Sequence, residues 1–382
     1  MEFSGDLRHG GLVLHILVPW DSGCQRVDGK LHSMSEKPRQ SNPPRPTAAA
    51  VNGLCQLLES YLDLGVPVPQ ELLDRLPEDT FAAAAASTEV ATTRTLPACF
   101  SPRYSAPTPT ASMRKLGPVA CEAVAQGLCR LCGPDPVDPQ LLRRLHEPAY
   151  VDAFLTGQQP LASSQGWPWT PQIRDGVLAI NGGQLLGAKL ALEHGIAANI
   201  AQGFHHAGYE RGCGYCTFNG LALVAQEFPD KRVFVLDCDE HGGNGTQEFV
   251  PRLPNLFNFS IHGNPFGMFT SERNLRRTLD PVTLDFGPYR RALREAFAEM
   301  ERWRTALLLY QAGADPHIDD PFGTLGMTTD QMLERDRMVF EFCRRKSLPV
   351  LFVLAGGYQE PIAKKLLPLH LNTFRAAQNA YA

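Results

Sequence analysis

The chain has 382 residues, 43% hydrophobic and 20% charged, with a formal net charge of -4. Those values fit one large α/β domain or two ordinary soluble ones, and they argue against a nucleic-acid binder, which would carry a basic surplus. No apolar run approaches the ~18 residues of a membrane span. The ten cysteines are too few for a disulfide scaffold in a chain this long, so a reducing, cytoplasmic setting is expected.

Residues 11–20 are apolar but include His15 and lack a small-residue cleavage site, so they read as a strand or irregular segment rather than a signal peptide. A proline-rich stretch at 37–46 reads as an extended linker. Residues 51–64 show helical spacing through Leu54, Leu57, Leu58 and Tyr61. An alanine run at 82–86 leads into Thr-rich sequence, and no chemistry is visible before residue 95. Residues 1–95 thus read as an extension with a helix or two, partly disordered, and 96–382 as the catalytic domain.

From about Leu96 onward strands alternate with amphipathic helices. Strands are expected at 98–100, 198–202, 232–237, 256–261, 306–311 and 349–355, with helices at 117–131, 173–193, 288–302, 329–345 and 361–380. The helix at 288–302 carries Tyr289, Leu293, Phe297 and Met300 on one stripe, which reads as core packing. Such alternation predicts a three-layer α/β/α domain with a mostly parallel central sheet, whose ligands gather where the strands end.

Four of these strands end in reactive sequence. Val233-Phe234-Val235-Leu236 runs into Asp237-Cys238-Asp239-Glu240-His241, and alternation along a strand puts Asp237, Asp239 and His241 on one side. The strand at 198–202 ends in His205-His206, that at 306–311 in Gly313-Ala314-Asp315, and that at 349–355 in Gly356-Gly357-Tyr358. Each alone has an ordinary structural reading, as a helix cap, a surface histidine or a packed turn; together at one sheet edge they form a constellation. Asp239, His241 and Asp315 supply three metal ligands and leave a fourth position open. A metal there would acidify water and polarise a carbonyl, a histidine pair could shuttle the proton, Asp237 could fix one tautomer and Asn244 the other, and Tyr358 could donate to an oxyanion. The sum is metal-assisted amide hydrolysis.

These pieces, with Gly214-Tyr215-Cys216-Thr217-Phe218-Asn219, Ser260-Ile261-His262, Asp320 and Gly323, resemble a zinc-dependent histone deacetylase-family domain of the arginase/deacetylase fold. Phe100-Ser101-Pro102-Arg103-Tyr104 is similar to that family's opening strand, and Tyr358-Gln359 with the compact length looks most like the class IV subgroup and its bacterial relatives. The resemblance implies Zn2+, or Fe2+ in the cell, on Asp239, His241 and Asp315. It implies His206 as proton shuttle, His205 with Asp237 as its electrostatic partner, and Tyr358 as oxyanion donor. It further implies a substrate tunnel at Gly214, Tyr215 and Gly357, and a structural K+ near Asp237, Ser260 and Ile261. The implied substrates are an acyl-lysine protein, carrying acetyl or a longer acyl group, or a small acylated amine such as an acetylpolyamine.

Two positions depart from the pattern: Gly242 follows His241 where His or Gln is usual, and Gly220 follows Asn219 where Asp is common. Neither is a ligand, so altered packing near the site is expected rather than loss of metal. The 157–172 loop, with Trp167-Pro168-Trp169, has no acidic residue to orient a substrate backbone. Two CxxC pairs, Cys129/Cys132 and Cys213/Cys216, leave open a four-thiolate zinc site or a redox dithiol. A binder without activity is a further alternative, opposed by the presence of His206 and Tyr358. His15, His32, His146, His194 and His370 sit in no cluster and read as structural or surface, while His317 lies two residues from Asp315.

Overall fold

The computed structural model describes residues 95–381. The segment expected at 11–20, the linker at 37–46 and the helical spacing at 51–64 lie outside them. Eight strands form one sheet in the order β2-β1-β3-β8-β7-β4-β5-β6, and every pairing is parallel. They are β1 (Leu96–Cys99), β2 (Cys129–Cys132), β3 (Ile196–Asn199), β4 (Val233–Asp237), β5 (Leu256–His262), β6 (Asn274–Thr278), β7 (Leu307–Ala312) and β8 (Val350–Leu354). The central strands are buried along their whole length and read as near-continuous apolar runs, as a sheet covered on both faces requires.

Parallel strands all point their carboxyl ends the same way. In this order β3, β8, β7 and β4 are consecutive neighbours. The four segments loaded with His, Asp and Tyr therefore emerge side by side at one edge, although they span residues 203 to 358 in sequence. Helices pack the faces. Pro171–His194 starts on Thr170, whose hydroxyl accepts from Ile173 N, and stops at Gly195 with φ +85°. Thr329–Lys346 opens with a reciprocal Thr328/Gln331 capping box. Along Gly287–Trp303, Tyr289, Leu293 and Met300 are buried and Phe297 is half-buried.

The sheet departs from the sequence expectation at its edges. The helix expected at 117–131 stops at Ala125, and Cys129–Cys132 forms the outer strand β2 instead. The cause is local: Gly127 adopts φ +66°, which ends the helix and frees the next residues to pair with β1. Strand β6 gave no signal because its sequence, NLRRT, is polar, as an edge strand facing water tends to be. The expected final helix is two, Ile362–Lys365 and Leu367–Tyr381. The CxxC pairs lie on unrelated elements, β2 and the loop after β3, and no four-cysteine cluster occurs among the described residues. No helix among those residues is long and apolar enough to cross a membrane.

Candidate active site

Asp239 and His241 follow β4 by two and four residues, and Asp315 follows β7 by three. One ligand atom from each lies within 4.8 Å of the others. His241 Nδ1 sits 3.4 Å from Asp239 Oδ1 and 3.3 Å from Asp315 Oδ2. Ligand atoms about 2.0–2.1 Å from a tetrahedral zinc stand about 3.3–3.4 Å apart, so the trio has the spacing such an ion needs. Backbone amides hold the remaining carboxylate oxygens: Gly356 N donates to Asp239 Oδ2 at 2.8 Å and Glu240 N to Asp315 Oδ1 at 3.1 Å.

The electrostatics agree with a cation site. Burial, then the charge of Asp239, pushes Asp315 up to about 8. Burial lowers His241, but bonds to the two carboxylates outweigh it and drive the imidazole up to about 11. Two buried carboxylates thus demand a positive charge between them, and a divalent ion supplies it more fully than a proton.

Above this trio stand the two histidines. His205 Nδ1–H donates to Asp237 Oδ2 at 2.7 Å, and His206 Nδ1–H donates to Asn244 Oδ1 at 2.6 Å. Burial opposes charge on His205, but Asp237 and Asp239 prevail and raise it to about 9. Burial and the neighbouring His205 charge press His206 well below its usual value. One imidazole is held charged and the other neutral, with its Nε2 free to accept a proton. His205, His206 and Asp239 also form a compact grouping, but both histidine Nδ1 atoms there are already engaged.

Tyr358 is half-buried, and its backbone N–H donates to Asp320 Oδ2 at 2.8 Å. Burial, then the charge of Asp315, pushes its phenol well above the usual value, so the hydroxyl stays a donor. Tyr215 lies 6.0 Å from the Tyr358 ring and stacks on Trp167 at 5.4 Å and 6°. It sits on a two-residue turn between Cys213 and Cys216, with φ +51° at Gly214 and +64° at Tyr215. Gly214 is required there, because a Cβ would lie 2.5 Å from His206 Cδ2. Gly357, at φ +132° just before Tyr358, is not on the cavity wall: a Cβ there would meet Leu366 Cδ1 at 2.6 Å and Ala314 Cβ at 3.0 Å.

Asp237 and Ser260 face each other in register across β4 and β5, and Ile261 follows Ser260. Asp237 Oδ1 accepts from Asp239 N, and the Ser260 hydroxyl lies 2.8 Å from His262 Nδ1. These oxygens could hold a monovalent cation.

Sequence reasoning missed several contributors. Phe266 packs beside the histidines, its ring 4.3 Å from that of His206 and 5.7 Å from that of His241. Its loop approaches because residue 242 is glycine: a Cβ there would meet Pro265 O at 2.5 Å. Lys115, fully buried, donates through Nζ to Ala355 O and Gly356 O, just before Tyr358. Arg335, also fully buried, donates to Cys238 O and Gly313 O, one residue before Asp239 and two before Asp315. Nothing near Lys115 or Arg335 in sequence marks them, since their partners lie 22 to 241 positions away. His317, by contrast, pairs with Thr329 rather than the metal trio.

Comparison with known proteins decides the family. The histone deacetylase domain model matches residues 110–374. This chain belongs to the histone deacetylase family. It is 35% identical over 254 residues to an uncharacterized protein of Picosynechococcus sp., covering 64% of this chain and 83% of that one. It is 34% identical to histone deacetylase 2 of Arabidopsis thaliana, covering 56% of this chain and 54% of that one. Acetylpolyamine amidohydrolase 2 of Pseudomonas aeruginosa is 31% identical over 40% of this chain and 48% of its own. The chain thus spans about half the length of these two named relatives. The fold matches the crystal structure of an acetylpolyamine aminohydrolase from Burkholderia pseudomallei, with TM-score 0.64 and 19% identity, covering 75% of this chain and 99% of that one. As a histone deacetylase-family member, the chain is a hydrolase acting on amide bonds.

Proposed function

We propose that this enzyme removes acyl groups from the side-chain amine of lysine, with zinc on Asp239, His241 and Asp315. The observation that carries the reading is the clustering of that trio with the His205–His206 pair, beside a small cavity that Asp239, His205 and Tyr358 line. A divalent ion bound there would polarise the amide carbonyl and make water a nucleophile near neutral pH. The chain supplies the rest. Tyr215 and Gly214 line the cavity beside Tyr358, and with Gly357 they would form an entrance that suits the aliphatic stem of lysine. His206 takes a proton on Nε2 and returns it to the departing amine, held in place by Asn244. His205, kept charged by Asp237, adds positive potential where negative charge develops, and Tyr358 donates to the carbonyl oxygen as it becomes an oxyanion. Asp237, Ser260 and Ile261 would hold a structural K+ behind the histidines.

Relatives named as histone deacetylases and as acetylpolyamine amidohydrolases both match the chain, so the entrance must choose between them. A polyamine keeps free ammonium groups that call for acidic side chains at the mouth. Here Phe322 stands edge-on to Tyr358 at 4.9 Å and is 46% exposed, an apolar surface beside the Tyr358 ring. That mouth suits a peptide flank.

The test is the metal-loaded full chain assayed side by side on an acetyl-lysine peptide and N-acetylspermidine. The peptide is expected to be the better substrate, and Asp239→Ala and His241→Ala are expected to lose both bound metal and turnover. Faster cleavage of the polyamine would overturn the lysine reading, and full turnover in either variant would overturn the metal mechanism.

A further inference from the structure

We propose that Glu240 is a positioning residue for the reaction, strapping the loop from Asp315 to Leu325 by both ends. It thereby holds Asp315 and Tyr358 in register with each other. This role rests on the metal-trio reading above and adds to it a residue that touches neither metal nor substrate. Alternation beyond β4 puts Asp237, Asp239 and His241 on one side and Glu240 on the other. The structure agrees: Glu240 is fully buried, belongs to neither grouping of candidate metal ligands, and turns its carboxylate toward the loop that follows β7.

The strap has two grips. At the start of that loop the Glu240 N–H donates to Asp315 Oδ1 at 3.1 Å. At its end the Thr324 hydroxyl donates to Glu240 Oε1, and Leu325 N donates to Oε2 at 3.2 Å. The whole turn from Asp315 to Leu325 is thus closed onto a single residue that lies between the ligands Asp239 and His241. A third bond, from Asn264 N to Glu240 O at 3.0 Å, ties in the loop after β5 that carries Phe266. Midway along the strapped loop, Asp320 Oδ2 accepts from Tyr358 N at 2.8 Å. A loop that slips at Thr324 therefore moves a metal ligand at one end and the support of the Tyr358 backbone in its middle.

Chemistry and space both favour this role. A carboxylate buried without hydrogen bonds is costly, and here both oxygens accept from neutral donors on one short piece of loop. Glycine at 263 leaves room for the grip, because a Cβ there would lie 2.3 Å from Thr324 Oγ1 and 2.4 Å from Glu240 Oε1. Partners that orient metal ligands from outside carry about 10–100-fold of metal affinity or activity. A grip of this kind needs hydrogen-bonding atoms at the right distance rather than a negative charge, and it acts through Thr324. Those two properties separate it from an electrostatic effect on the metal and from simple filling of space.

The experiment measures zinc affinity by chelator competition at one pH, with kcat and KM on an acetyl-lysine peptide. It compares the full-length wild type with Glu240→Ala, Glu240→Gln, Thr324→Val and the double variant Glu240→Ala/Thr324→Val. Glu240→Ala is expected to weaken zinc binding about 10-fold or more and to lower kcat of the zinc-saturated enzyme about 10-fold, with KM little changed. In Glu240→Gln the carboxamide can accept from Leu325 N and donate to the Thr324 hydroxyl, so both values are expected to return to within a few-fold of wild type. Thr324→Val is expected to lose less, in the same direction, and to add nothing to Glu240→Ala, because residues in contact are coupled. A Glu240→Gln variant as impaired as Glu240→Ala would assign the effect to charge and overturn the strap. Wild-type affinity and kcat in folded Glu240→Ala, or additive losses in the double variant, would overturn it as well. Should Glu240→Ala not fold, Thr324→Val decides, and wild-type values there overturn the strap. A wild type that binds no zinc would instead remove the metal-trio reading itself, a failure distinct from an unmoved variant.

Discussion

The rings of His205 and His206 lie 3.9 Å apart, yet the first leans on the carboxylate of Asp237 and the second on the carboxamide of Asn244. That one difference in partner divides the work. A carboxylate stabilises a charged imidazole, whereas a carboxamide oxygen fixes the tautomer without paying for a second positive charge beside the first. Adjacent residues on one loop thus become an electrostatic element and a base.

Replacing the two should therefore have unequal effects. His206→Ala removes the proton acceptor, and kcat on an acetyl-lysine peptide is expected to fall about 10³-fold with little change in KM. Asn244→Ala leaves the ring but not its orientation, and a smaller loss of about 10-fold is expected. Steady-state kinetics on both variants check this. Equal losses would mean that His206 is not the base or that Asn244 does more than orient it.

Lys115 offers a prediction about the loop that carries Tyr358. Lys115→Met keeps the bulk but leaves Ala355 O and Gly356 O without their ammonium donor. Each buried carbonyl stripped of a partner costs about 1–3 kcal/mol. The loop should loosen, with Tm lowered and kcat reduced about 10-fold or more, because the Tyr358 hydroxyl must be placed to within a fraction of an ångström to stabilise an oxyanion. Thermal melts and kcat measured together are the check. A normal kcat in a folded Lys115→Met protein would show that the loop positions Tyr358 without this cation.

Arg335 joins the two ligand loops from below. Its guanidinium donates to Cys238 O at 3.1 Å and Gly313 O at 2.8 Å, and it pairs with Asp336, which also accepts from the Tyr310 and Thr373 hydroxyls. Breaking a buried pair by removing one partner costs about 3–5 kcal/mol. Arg335→Met is expected to lose stability on that scale in urea denaturation and to retain less metal after dialysis. The double variant Arg335→Met/Asp336→Leu removes the unpaired carboxylate but also the acceptor of the Tyr310 and Thr373 hydroxyls, so it should recover only part of the stability and none of the metal retention.

The parts of this molecule legible in sequence are those built from local pattern. Buried parallel strands such as VFVLD and VLFVL announce themselves by apolar runs, and Asp239 and His241 by their distance from a strand end. Asp315 and Tyr358 could be joined to them only because parallel strands finish at a common edge. Edge strand β6 escaped because a short polar strand carries neither a run nor an alternation, and β2, CRLC, because its apolar residues continue the helical pattern that Gly127 interrupts. Lys115 and Arg335 escaped for a different reason. Their roles arise from backbone carbonyls that only the packed fold brings near, and an isolated Lys or Arg in sequence looks like surface.

His146 illustrates the same gap and carries a pH prediction. In sequence it belonged to no cluster; in the fold it is fully buried, 2.9 Å from Gly208 O through Nδ1, with Nε2 accepting from Asn219 N at 3.1 Å. Those bonds span the loop that presents Gly214 and Tyr215, and they use a neutral ring, one nitrogen donating and the other accepting. Burial lowers the imidazole to about 4, against the pull of backbone bonds from Gly208 and Tyr209. In the unfolded chain His146 takes up a proton below about 6.5, while the folded chain resists until about 4. The unfolded state therefore binds more protons across that window, so this contribution is complete above 6.5, declines as pH falls, and amounts to about 3 kcal/mol in all. Urea denaturation of wild type and His146→Phe at pH 7.0 and 4.5 provides the measurement. The variant is expected to be less stable at pH 7.0, having left Asn219 N and Gly208 O unpaired, and to lose less further stability on acidification. A wild type and variant with identical pH dependence would show that His146 is not held neutral, and that some other group anchors the tunnel loop.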